Sequence, residues 1–276
     1  MFSYYGTKKK LAKHYPKPLH DIIVEPFAGA AAYSMMYYDH NVILCEKDEK
    51  IYKLWKYLQS ATEDDIMKLP ILEKGVSLNL PEYKDNYRIE EIYLMGFYLN
   101  PGSSQPKKSP GTFCSWNEST KKKIVEDLPK IKHWTILHGD YKQLDNIEAT
   151  WYIDPPYQSS GGQYYHHGNK GFDYQTLSKW TLERRGQVIV CENLGSDWLD
   201  FQPLINLKGQ KHNRMEAIYY IENNIPQIEI PMITKQIQVE ERKLNIDPNI
   251  QIIKKDLTVS TSVKEEDWFD ILAKEL

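Results

Sequence analysis

Cysteine is scarce in this chain. Cys45, Cys114 and Cys191 are odd in number and far apart, and none belongs to a C-x-x-C pair or a Cys/His cluster at zinc spacing. Neither a disulfide framework nor a structural metal is expected. Long apolar runs are missing as well: nothing approaches the ~18–20 residues that span a bilayer, which argues against a membrane-spanning helix and a membrane partner. The first residues, MFSYYGTKKKLAKHYP, are basic but carry no continuous apolar stretch or small-residue cleavage site. A secretory leader is therefore not expected, and the predicted location is the cytoplasm. Strong charge of either sign is absent too, the net charge being −3 over 276 residues. Such a balance argues against indiscriminate binding to polyanions.

Aromatic side chains are abundant instead, with 20 Tyr and 7 Trp. The modest net charge also hides a map. Residues 1–20 hold five Lys and no acid, residues 101–133 hold seven Lys against three acids, and residues 222–276 hold seven basic against eleven acidic side chains. An acidic tail thus masks two basic patches able to attract a polyanion locally.

Hydrophobic patterning predicts an α/β fold. Asp21–Glu25 is a β-branched apolar run followed by a Pro/Gly turn and a small-residue segment from Gly29 to Asp39 that suits a helix. Val42–Cys45 reads as a second strand, and Asp48 as the N-cap of a helix with Ile51, Leu54, Trp55 and Leu58 on one face. Further buried strands are predicted at Thr135–His138, Ala149–Ile153 and Gln187–Cys191, with a helix near Asp173–Arg185. Glu216–Glu222 reads as an added edge strand. Such alternation implies a mostly parallel sheet covered by helices. Residues 60–133 change to helical periods around a Gly/Pro loop, Asn100–Gly111, and look like an insertion. The division is therefore a discontinuous domain over 1–59 and 134–222, an inserted helical region over 60–133, and an appendage over 223–276 that ends in a capped helix at Ser262-x-x-Glu265.

Three short segments carry chemistry. Val24-Glu25-Pro26-Phe27-Ala28-Gly29 ends the first strand, at the sheet edge where open α/β folds bind ligands. Glu46 follows the second strand, about 20 residues on, where nucleotide sites place a carboxylate on ribose hydroxyls. Asp154-Pro155-Pro156-Tyr157 leaves its strand at the same edge. Its prolines stiffen the backbone and remove two N–H donors, leaving an acidic acceptor, a carbonyl acceptor and an aromatic plate. That set suits a planar amino group: the Asp154 carboxylate and the Pro155 carbonyl accept its two hydrogens while Tyr157 stacks on the ring.

The third segment, Phe2-Ser3-Tyr4-Tyr5-Gly6-Thr7-Lys8, brings a family into view. With Glu25–Gly29, Glu46, Gly139-Asp140-Tyr141 and Asp154–Tyr157 in order behind it, the chain resembles the D12-class (Dam-like) DNA adenine-N6 methyltransferases over about 1–60 and 134–222. Ala30, Ala31 and Ala32 stand where family members usually carry further glycines, and Glu46 where Asp is commoner. The resemblance implies a Rossmann-like AdoMet-dependent methyltransferase fold, with S-adenosylmethionine as cofactor and double-stranded DNA as partner. It implies Tyr4, Lys8 and Glu25, Pro26, Phe27, Ala28 and Gly29 around the methionine half, Glu46 on the ribose, and Asp140 and Tyr141 near the adenine. Asp154, Pro155, Pro156 and Tyr157 are then the catalytic set, Asp154 also facing the cofactor, and the target adenine is flipped out of the duplex. The loop Gln158–Gly171, with Tyr164, Tyr165, His166 and His167, is placed to close over it.

Target recognition falls to the inserted region, where Lys107, Lys108, Lys121, Lys122 and Lys123 are candidates for phosphate contacts, and Asn117 or Arg88 for base edges. Two other readings stay open. An RNA adenine-N6 or guanine-N2 methyltransferase uses a similar strand end, and a catalytically silent nucleic-acid-binding module would keep the same fold. A protein-amide methylase would want Asn at 154.

Overall fold

The computed structural model describes residues 1–73, 75–158, 171–207 and 214–224. The histidine-bearing stretch of the 158–171 loop and nearly all of the 223–276 appendage, including its predicted capped helix, lie outside the described residues. The elements are β1 (Ile22–Glu25), α1 (Ala32–Met36), β2 (Asn41–Glu46), α2 (Glu49–Ser60), α3 (Glu63–Met67), α4 (Pro81–Lys84), α5 (Ile89–Leu99), α6 (Glu118–Asp127), β3 (Thr135–His138), β4 (Glu148–Ile153), α7 (Tyr174–Leu182), β5 (Arg185–Asn193), β6 (Gln202–Leu207) and β7 (Arg214–Asn224).

The seven strands form one sheet in the order β3-β2-β1-β4-β5-β7-β6. Neighbours from β3 to β5 are parallel, while β7 runs antiparallel to both β5 and β6. Central strands are apolar on both faces, because side chains alternate sides and each side meets helices. Ile23, Tyr152, Ile189 and Cys191 enter one apolar cluster with α2, α5 and α6, and Val24, Trp151, Ile153, Val188 and Val190 enter the other with α7. The helices between 60 and 133 bring Leu94, Met95, Phe97, Trp116 and Ile124 into the first cluster, so they share their core with α2.

Two strand readings need correction. β7 is interior rather than an edge strand, because β6 pairs along its outer side. β6 escapes a sequence reading because Gln202, Pro203 and Asn206 are exposed, so no apolar run marks it. Proline is tolerated there because an edge strand leaves half its N–H groups unpaired by the sheet. Among the described residues no helix is long and apolar enough to cross a membrane.

At the opposite end of the sheet from the β4–α7 loop, Gly186 sits at φ +93°, and a Cβ there would meet the Ala149 carbonyl oxygen at 2.5 Å. Both the backbone angle and the close approach demand glycine. Gly186→Ala is expected to destabilise the protein by about 2 kcal/mol or more, read as a lower urea midpoint at an unchanged slope.

Candidate functional site

Strand order locates the site. The chain leaving β1 turns toward β2, and the chain leaving β4 turns toward β5, so adjacent strands send their loops apart and open a crevice at their C-terminal ends. Glu25–Gly29 and Asp154–Tyr157 are the two loops at that divergence.

The first loop is held by the backbone and by its neighbours. The Ala28 N–H donates to the Cys45 carbonyl at 3.1 Å, the Gly29 N–H to Glu46 Oε2 at 2.9 Å, and the Trp55 indole N–H to the Gly29 carbonyl at 2.8 Å. Gly29 adopts φ +45°, and a Cβ there would press on the Tyr4 ring at 3.3 Å. Ala31 also has φ +45°, the one non-glycine at positive φ among the described residues. A left-handed alanine costs roughly 1–2 kcal/mol, strain concentrated where the three-alanine departure from the resembled family lies.

Behind these loops lies a cavity of about 260 Å³. Tyr4, Lys8, Glu25, Pro26, Phe27, Ala28, Gly29, Glu46, Asp140, Tyr141 and Asp154, all assigned to a cofactor from sequence, line it together with Pro156. Pro155 is buried and Tyr157 half-buried, and neither lines the cavity. Five acids (Glu25, Glu46, Asp48, Asp140, Asp154) face two lysines (Lys8, Lys47) around the space. With both lysines paired to acids, such a lining offers acceptors to hydroxyl and amino donors and no free ammonium to an anion.

A dinucleotide fits this lining poorly. Phosphates in doubly wound folds sit at the N-terminus of the first helix on a glycine-rich turn. Here the turn has one glycine, and Glu25 Oε1 accepts the Ser34 N–H in the first turn of α1 at 2.8 Å, filling the anion position from within the protein.

Lys8 and Asp154 form the centre of the second loop. Lys8 Nζ donates to both carboxylate oxygens of Asp154, at 2.9 and 3.1 Å, and stands 4.5 Å from the centroid of the Tyr157 ring. The Gly6 carbonyl, at 3.4 Å, also accepts from it. Burial raises the pKa of Asp154 above the usual range, opposed by the Lys8 ammonium and by a hydrogen bond from Tyr157. One cation thus sits against both oxygens of the acid and 4.5 Å from the centre of the aromatic ring that follows it.

The other acids are already engaged. Glu46 spends Oε2 on Gly29 and Oε1 on the Asp48 N–H at 2.8 Å, and desolvation pushes its pKa up to about 7. Its remaining lone pairs are what a ribose would use. Asp140 caps the turn at Tyr141–Gln143 and pairs with Lys47 at 3.0 Å. Glu25, 2 % exposed, has its pKa pushed up to about 8, chiefly by desolvation.

The lysine cluster divides. Lys107, Lys108, Lys122 and Lys123 are exposed. Lys121 is 3 % exposed and donates to the Leu69 carbonyl at 2.8 Å and to Glu118 at 3.0 Å, so its ammonium ties α6 to the chain after α3 and is not presented to a phosphate. Asn117 caps α6 by accepting the Thr120 N–H at 3.0 Å, and Arg88 is exposed at the start of α5.

Several site residues escaped the sequence reading. Asp48 was visible as a helix cap, which it is, but it also lines the cavity with Tyr152 and Phe172. Glu192, fully buried at the end of β5, accepts the backbone N–H of Gln158 at 3.0 Å and the Trp198 indole N–H at 3.1 Å, fixing the residue that follows Tyr157. Its signal was an acid ending an apolar strand. Among the described residues no three His, Cys, Asp or Glu side chains are grouped to hold a metal ion. No protein-family model matches the chain, and no curated protein matches its sequence.

Glu25 gives a pH signature. Its native pKa lies above the ordinary value of 4.5, so the folded state holds a proton that the unfolded chain has lost. Stability is fullest below about pH 4.5 on this account and falls as pH rises toward about 8, with a limiting slope of about 1.4 kcal/mol per unit. Glu25→Gln, which keeps the acceptor for Ser34, should flatten that slope and raise the melting temperature at pH 8; melting curves from pH 5 to 9 check it.

Proposed function

We propose that this chain is an S-adenosylmethionine-dependent methyltransferase of a Rossmann-like fold that modifies adenine N6 in double-stranded DNA, as its resemblance to the D12-class enzymes implies. The observation that carries the reading is the Asp154–Tyr157 loop, an amine-binding set at the point where the strand order diverges, beside an acidic, aromatic-lined cavity. Residues 60–133 are then the target-recognition region.

The donor set fits the cofactor. When bound, S-adenosylmethionine supplies an electrophilic methyl group carried on a sulfonium. Tyr4, Phe27 and the tight Gly29 turn would hold its methionine half, Glu46 its ribose and the Asp140–Tyr141 turn its adenine. The surrounding acids suit its net positive charge.

Adenine N6 is a weak nucleophile because its lone pair is shared with the ring. Asp154 and the Pro155 carbonyl accept its two hydrogens and favour tetrahedral geometry at nitrogen. Positive charge that grows on that nitrogen is met by the Asp154 carboxylate, which, its pKa raised by burial, can take the proton that N6 sheds once it has received the methyl group and the sulfonium is left as a thioether. Tyr157 holds the base by stacking, at a flipping cost of a few kcal/mol. For the amine to reach Asp154, Lys8 has to release part of its two-oxygen contact, and the ammonium then remains close by as a neutralising charge.

The test is direct. Duplex DNA, matched RNA and denatured DNA are incubated with the protein and labelled S-adenosylmethionine, and digested nucleosides are separated by mass. N6-methyladenine from the duplex is the expected product; label confined to RNA or to guanine would overturn the DNA assignment. Asp154→Ala should lower turnover at least ~100-fold while calorimetric cofactor affinity stays within a few-fold. Near-normal turnover would remove Asp154 from the mechanism.

A second expectation concerns DNA. Each lysine that neutralises a phosphate contributes roughly 0.9 to the slope of log K against log salt. Replacing Lys122 and Lys123 by Gln should lower the slope by up to ~2 without changing which sites are methylated. Lys121→Gln should instead destabilise the fold. Binding titrations at four salt concentrations and methylation mapping separate the outcomes.

A further inference from the structure

Glu216 lies within β7, 3 % exposed, paired across the sheet with Asn193 on β5 and Ile205 on β6. A buried carboxyl is tolerated where its oxygens receive donors. Glu216 Oε1 accepts the hydroxyl protons of Tyr15, at 2.6 Å, and of Tyr157, and Lys8 Nζ stands 3.9 Å away. Tyr15 is itself fixed edge-on against Tyr152, with ring centroids 5.4 Å apart and planes at 89°, and Tyr152 is stacked on Tyr33 at 4.2 Å. The acid is therefore anchored in a rigid aromatic wall.

From this arrangement we infer that Glu216 is a positioning residue for the methyl-transfer reaction, holding the Tyr157 ring in the plane on which the target base stacks; the inference rests on the function proposed above. Two physical effects act together. A ring pinned at its hydroxyl end keeps its face turned toward the amine site, where Lys8 now lies. The Tyr157 hydroxyl also has a single proton and reaches Asp154 as well as Glu216. While Glu216 takes that proton, the Asp154 oxygens are left to the substrate amine; without it, Tyr157 turns its donor to Asp154 and competes with substrate. An apolar residue at 216 would fill the strand equally well but would take from the buried Tyr15 hydroxyl its carboxylate acceptor, which explains an acid at this place.

Steady-state methylation of duplex DNA by the full chain tests this, with Glu216→Gln, Tyr157→Phe and the double variant. Glu216→Gln keeps shape and one acceptor but not the charge. The expected result is a fall of about tenfold in kcat, with cofactor affinity and melting temperature near wild type. In the Tyr157→Phe background, which itself is expected to lose about tenfold, adding Glu216→Gln should change kcat by less than about threefold, since the hydroxyl through which Glu216 acts is gone. Unchanged kcat in either single variant overturns the inference, as do losses that multiply fully in the double variant. A parallel fall of cofactor affinity and melting temperature would make Glu216 merely structural. If Glu216→Gln does not fold, Tyr157→Phe decides alone. A wild-type chain inactive on every DNA overturns the proposed function and this inference together, whereas an active wild type with a wild-type-like Glu216→Gln overturns this inference only.

Discussion

The ion pair between Lys8 and Asp154 is the constraint on which the site depends, because it joins an irregular segment to the end of a central strand. Among the described residues 1–20, regular structure amounts to a single helical turn at Ala12–His14. The segment is held from its sides instead. The Tyr33 hydroxyl donates to the Pro16 carbonyl at 2.7 Å, the Leu19 N–H donates to Thr150 and Gln187, and the Tyr5 N–H reaches the Ser103 carbonyl at 3.1 Å. These contacts leave Lys8 little choice of place. A shielded ion pair is a poor source of stability, because desolvation offsets its attraction. On the function proposed here, its presence beside the Asp154–Tyr157 loop is better explained by a charge kept at hand for the substrate.

Two strand-end acids in one cavity illustrate how environment divides similar groups. Glu25 is buried with a backbone donor from Ser34, and the neighbouring Asp154 charge further disfavours its ionisation. Asp154, with 18 % of its side chain exposed, has the Lys8 ammonium at 2.9 Å. Burial raises both pKa values, but only Asp154 has an ammonium against it that opposes the rise, so Glu25 is fitted to stay protonated near neutral pH and serve as a wall while Asp154 serves as the paired acceptor. Divergence of this kind marks sites where paired carboxyls take separate roles.

Much of this was legible in the sequence, for identifiable reasons. Parallel strands are short apolar runs, so β1 to β5 stood out, although β3, expected to be buried, lies at the sheet edge and buries only Ile136 of its four residues; a loop such as Asp154-Pro155-Pro156-Tyr157 announces a strand end through its prolines. What failed to show was whatever depends on a neighbour distant in sequence. The exposed strand around Pro203 carries no apolar run, and its pairing moved β7 from the edge to the interior. Lys121 looks like its two neighbours in a row of three lysines, yet helical geometry turns it alone toward the Leu69 carbonyl. Glu192, just past one predicted strand, and Glu216, at the start of another, drew no notice, because their tyrosine, tryptophan and backbone donors come from elsewhere in the chain.

The helices between residues 60 and 133 are joined to the cavity by more than a shared core. Gln105, in the Gly/Pro loop, accepts from the Lys50 ammonium at 2.5 Å and donates to Asp48 Oδ2 at 3.3 Å. Asp48 lines the cavity and its own N–H is held by Glu46, which in turn holds Gly29. A continuous line of hydrogen bonds therefore runs from the loop at Gln105 through the N-terminus of α2 to the turn after β1. Gly96 packs against the same loop, with the Lys107 carbonyl only 2.6 Å from where a Cβ would stand, so α5 cannot shift without moving it. In a close-packed interior such a line has few intermediate arrangements. The loop that carries Lys107 and Lys108 is thus held on one side by backbone bonds to Gly96 and Leu78 and on the other, through Gln105, by the acids that face the cavity.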